Sequence, residues 1–90
     1  MGIEYKITTD RSGARRDSVL AGLPNFLGYD TALGLYNYGR TEIAASVSIE
    51  QDGFVLCDHL SDLAYVRQLL DTLVEQLELA GVTTIDVSEL

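Results

Sequence analysis

Hydrophobic periodicity changes several times along this chain, and the order of the changes constrains the fold more than any single motif. Ile3, Tyr5 and Ile7 alternate with Glu4, Lys6 and Thr8, the period of two that marks a half-buried strand. Ala14 to Ala21 follow as about two turns of helix, with Asp10 or Ser12 as the expected N-cap and Gly22 and Pro24 as the stop. Residues 24–30 read as a packed connector carrying Phe26, Leu27 and Tyr29. A strand is expected over Ala32 to Tyr38 and another over residues 43–50, where Ile43, Ala45, Val47 and Ile49 alternate with smaller or polar residues. Asp52-Gly53 is a hairpin signal, because Gly accepts positive φ and Asp tolerates it, so residues 54–58 return as a third strand. From Leu63 to Ala80 the apolar spacing becomes 3.6, with Ser61 as the expected N-cap and Gly81 as the stop. Thr83 to Val87 close the chain as a short strand.

The order β-α-β-β-β-α-β over residues 1–90 specifies a single α+β domain. It predicts a single-layer, mostly antiparallel sheet with both helices on one face, a ferredoxin-like layout with an extra meander strand. Ninety residues with 47% apolar side chains can bury one core of this kind but cannot also enclose a large cofactor. Such a layout hosts unrelated functions and selects none of them.

Charge narrows the range of partners. Residues 1–40 carry five basic and four acidic side chains, whereas residues 41–90 carry ten acidic ones against Arg67, giving a net charge of −8. This balance disfavours direct nucleic-acid binding and anionic membranes, and it favours basic partners. No apolar run is long enough to span a bilayer, no secretory pattern opens the sequence, and Lys6 stands where a myristoylation motif wants Ser or Thr. With Cys57 as the one cysteine and no internal disulfide, a cytoplasmic location is the expectation.

Register decides which residues share the uncovered face of the sheet. Pairing across Asp52-Gly53 is expected to set Ile49 opposite Leu56 and Ser48 opposite Cys57, with Ile49, Phe54 and Leu56 inward. A three-residue loop at Gly39-Arg40-Thr41 would send Leu33 and Leu35 inward and turn Tyr36 and Tyr38 outward; a slip of one residue reverses this. The expected partner-binding face therefore carries Tyr36, Tyr38, Ser46, Ser48, Cys57 and His59.

The chemical motifs are sparse. Cys57 and His59 share a strand face, but nothing supplies an oxyanion hole, and one Cys with one His makes no recognisable metal spacing. No catalytic residue, metal or cofactor is expected. Arg11, Ser12, Arg15 and Arg16 cluster where a strand gives way to a helix, a place suited to an anion; their alternative use is pairing with the acidic remainder of the chain. Asp71, Glu75 and Glu78 form an acidic stripe along the long helix. The leading expectation is a small acidic regulatory module that works by protein–protein contact, as a homodimer or docked on another protein. The alternatives are an anion-binding sensor or minor enzyme at the arginine cluster, and an acidic inhibitor of a basic nucleic-acid-binding protein.

Overall fold

The structure, a computed structural model, describes residues 2–10 and 16–90. Its elements are β1 (Ile3–Thr9), α1 (Arg16–Ala21), β2 (Phe26–Asp30), β3 (Leu35–Tyr38), β4 (Ala45–Glu50), β5 (Gly53–Asp58), α2 (Leu63–Leu79) and β6 (Ile85–Glu89). The six strands form one sheet in the order β2-β3-β4-β5-β1-β6, with every neighbouring pair antiparallel. Two helices on such a sheet place the chain in the α+β class. Strands β5 and β6 flank β1, and α2 crosses from one to the other.

The meander has four strands where three are expected, because residues 26–30 form the edge strand β2 rather than a connector. A bulge between Phe26 and Gly28 hides this strand from a period-of-two reading. Phe26 pairs with Tyr38 and Tyr29 with Tyr36, so two residues three apart reach the same face. The following strand is shorter than expected. The Asp30 carboxylate accepts from the N–H groups of Ala32 (2.9 Å) and Leu33 (3.1 Å), which winds residues 31–34 into a turn and leaves Leu33 exposed.

The loop between β3 and β4 overturns the expected register. It spans residues 39–44, and Tyr38 pairs with Ala45 and Tyr36 with Val47. The slip is odd, so Tyr36 and Tyr38 point inward and Leu35 outward. The backbone of this loop folds tightly on itself. The Ala44 N–H donates to the Tyr38 carbonyl, and a Cβ on Gly39 would lie 1.8 Å from the Glu42 carbonyl oxygen. Ile43, expected to open the inward row, lies exposed in the loop.

The next hairpin slips by an even number. Glu50 pairs with Gly53, Ile49 with Phe54 and Ser46 with Cys57, two residues from the expected partners, so every side chain keeps its expected face. Gln51 and Asp52 form the turn. Gly53 adopts φ +153 where a Cβ would meet the Ile7 carbonyl at 1.9 Å.

Helix α2 starts at Asp62, whose carboxylate accepts from the Tyr65 N–H, in place of the expected cap Ser61. It buries Tyr65, Val66, Leu69, Leu73 and Leu77, while Leu63 and Ala80 of the expected stripe stay exposed. These residues meet Ile7, Val47, Phe54 and Leu56 from the sheet and Leu20 and Leu23 from the α1 side in one core.

Candidate functional site

On the uncovered face, strand pairing brings Ser46 beside Cys57 and Asn37. Ser46 is almost fully buried, and its hydroxyl donates to Asn37 Oδ1 at 2.8 Å. His59 Nε2 lies 3.0 Å from the same Ser46 oxygen. With the Ser46 proton spent on Asn37, His59 Nε2 is the donor, so this chain of bonds does not create a serine nucleophile. Ser48 donates to Glu50 Oε2 at 2.8 Å. Burial pushes the Cys57 thiol pKa up, and Glu4 and Asp58 push it further, the opposite of what an activated thiol needs. Among the described residues, no group of three His, Cys, Asp or Glu side chains is arranged to hold a metal ion.

Tyr36 and Tyr38 are absent from that face. Tyr38 is fully buried and donates its hydroxyl to the Leu20 carbonyl at 2.6 Å, fastening α1 to the sheet. It packs on Phe26 with ring centroids 5.6 Å apart, and Tyr36 packs on Phe26 at 5.9 Å and on Tyr29 at 4.6 Å. Burial, followed by the neighbouring Tyr36 and Tyr65, holds the Tyr38 phenol well above its ordinary pKa. Burying these rings beside Phe26 is the physical reason the register departs from expectation. The open face keeps Ser46, Ser48, Cys57 and His59 but loses the aromatic contact area expected there.

Of the arginine cluster, Arg11, Ser12 and Arg15 lie outside the described residues. Arg16 donates to the carbonyl oxygens of Glu50 (2.5 Å) and Gln51 (3.3 Å) and sits 6.0 Å over the Phe54 ring. Those bonds commit it to tying α1 to the β4–β5 turn. Asp71, Glu75 and Glu78 are exposed along α2, as their spacing predicts.

A further concavity lies elsewhere. A cleft of about 730 Å³ separates the first half of α2 from the end of the sheet where β1 begins and β5 ends. Ile3, Tyr5, Leu63, Ala64, Val66 and Leu70 give it a mostly apolar lining, and Asp58 and Arg67 supply the charges. The cleft follows from the helix pattern. Positions 63, 67 and 70 form a stripe beside the one that fills the core, and Val66 belongs to the core while bordering the cleft. Leu63 remains 58% exposed.

Asp58 follows Phe54 and Leu56 on the inward row of β5, with Ile3 and Ala45 as its cross-strand neighbours. It is 4% exposed. One carboxylate oxygen accepts from the Leu60 N–H at 2.8 Å and so holds Leu60 at φ +64 in the turn leading to α2. No hydrogen bond from a described residue reaches the other oxygen, and since no buried side-chain oxygen among the described residues lacks a partner, it is open to the cleft. The ion pairs among the described residues join Lys6 to Asp52 and Arg40 to Asp62, leaving Arg67 free at the surface of the cleft. The sequence does contain a signal for this site: alternation along 54, 56 and 58 puts an acid in a core-facing position. Compared with known proteins, the chain matches no family model, no curated protein and no solved structure.

Proposed function

We propose that this protein is a small binding module whose ligand seats in the cleft between α2 and the β1–β5 end of the sheet. The observation that carries this reading is the combination of a mostly apolar cleft of about 730 Å³ with an almost fully buried carboxylate in its lining. Small-molecule sites have this character: volumes of about 300–1,000 Å³, apolar walls and a few polar groups that fix orientation. The lining offers one carboxylate and one guanidinium, groups that orient a bound molecule. Contact through the open face has less support, because Tyr36 and Tyr38 belong to the covered side.

Titration with a neutral apolar fluorophore, N-phenyl-1-naphthylamine, tests the reading. Saturable one-to-one binding is expected. Ala64→Phe, which puts a ring into the cleft, should weaken it by about tenfold or more, equivalent to 1.4 kcal/mol. Leu33→Ala, at an exposed position in the β2–β3 turn, should leave binding unchanged. Equal binding by all three proteins, or no saturable binding at all, would rule out the cleft as the site.

A further inference from the structure

We infer that the cleft selects an organic cation, a primary ammonium on a short apolar tail, with Asp58 as its counter-charge; this rests on the cleft being the binding site. A carboxylate offers about four acceptor positions, and Asp58 uses one of them on the Leu60 N–H. It is 4% exposed and enters no ion pair with a described residue. No buried side-chain oxygen among the described residues lacks a partner, so the second Asp58 oxygen is open to the cleft, where a bound group that brings donors and positive charge takes the place of water. An ammonium does both, through three N–H donors on one compact centre. A hydroxyl supplies one donor and no charge, and a carboxylate ligand would place like charges together in an apolar enclosure.

The remaining lining suits the tail of such a molecule. Ile3, Val66 and Leu70 provide apolar wall beyond the carboxylate. Arg67 also lines the cleft, but it is exposed, so water and salt screen its repulsion of a cation. The net charge of −8 favours the approach of cations over anions.

The test is displacement of N-phenyl-1-naphthylamine from the full chain by three ligands of matched shape: 2-phenylethylamine, 2-phenylethanol and 3-phenylpropanoate. The amine is expected to displace the probe at a concentration at least about tenfold lower than the alcohol, as a charge-assisted hydrogen bond warrants. The carboxylate should be the weakest of the three. Asp58→Asn retains an oxygen for the Leu60 N–H and should abolish the preference for the amine while probe binding persists. If that variant does not fold, salt dependence in the unaltered protein gives a second reading, in which added salt weakens displacement by the amine and leaves displacement by the alcohol level. Equal displacement by amine and alcohol, or a preference for the carboxylate, would overturn the assignment. Failure of all three ligands against a bound probe would overturn the cation and leave the cleft standing, whereas failure of the probe itself would overturn the cleft.

Discussion

The two halves of the covered face solve the same packing problem differently. On the side of β2 and β3 lies α1, a helix of six residues, too short to shield the strands there. That half is closed by rings: Phe26, Tyr36 and Tyr38 fill the space, and the Tyr38 hydroxyl reaches across to the helix backbone. Beside β5 and β1 lies α2, a helix of seventeen residues whose buried side chains are aliphatic beyond Tyr65. Its central stripe is buried at Leu69, Leu73 and Leu77, whereas Leu63, Arg67 and Leu70 beside it border the cleft. A long, regular helix touches a twisted sheet along one line, and the area beside that line stays unfilled unless large side chains occupy it. Beside the short helix, aromatic rings take up the space between the described residues.

The first way to break this comparison is to remove a ring. Tyr38→Ala should cost about 3–5 kcal/mol in a urea unfolding titration, as expected for deleting a fully buried aromatic ring. A cost below about 1 kcal/mol would mean that the aromatic half does not depend on it.

Within α2, adjacent leucines give the next largest contrast. Leu69 is buried in the core, whereas Leu70 is half-buried and lines the cleft. Leu69→Ala should destabilise by about 2–5 kcal/mol. Leu70→Ala should cost less, about 1–2 kcal/mol, since its side chain only partly packs against the core and otherwise borders the cleft. Equal costs would show that the cleft closes in solution.

The smallest expected effect sharpens the role of the Tyr38 hydroxyl. Tyr38→Phe should cost about 1–2 kcal/mol, because it leaves the Leu20 carbonyl with only the long bond from the Leu23 N–H. The same group makes stability depend on alkaline pH. Burial raises the Tyr38 pKa above the ordinary 10.0, so above about pH 10 the unfolded chain releases a proton that the folded chain retains. This contribution is complete below the unfolded value and is lost as pH climbs towards the folded one. Tyr36 and Tyr65 are shifted the same way, chiefly by burial. Thermal melts from pH 8 to 11 should therefore show falling stability, with a shallower fall in Tyr38→Phe. Parallel curves for the two proteins would count against the buried phenol.

How much of this was legible in the sequence turns on parity. Both hairpins of the central meander depart from the simplest turn reading, one by two positions and one by an odd number. The even slip at β4–β5 preserved the inward row Ile49, Phe54 and Leu56. The odd slip at β3–β4 reversed Tyr36 and Tyr38. Alternation could not decide between a three-residue loop and the six residues observed, because leucines and tyrosines occupy opposite rows of the same strand and both are credible core residues. Strand β2 stayed hidden because its bulge puts the two ring-bearing residues three apart. Helix α2 was plain from its period, yet the period could not show that two stripes would compete for one sheet surface. The inward position of Asp58 could be read from the alternation; the space beside it depends on how far β1 and α2 stand apart, which no local pattern encodes.

The central claim is that the α2 half carries a ligand site while the aromatic half is filled. The most direct measurement is a titration of 2-phenylethylamine into isotopically labelled protein, following amide nitrogen–proton correlation spectra. Saturable shifts are expected at residues 3–5, 58–60 and 63–70, with residues 26–38 and the Ser46, Cys57 and His59 face unmoved. Shifts centred on residues 26–38 or on that open face would contradict the claim.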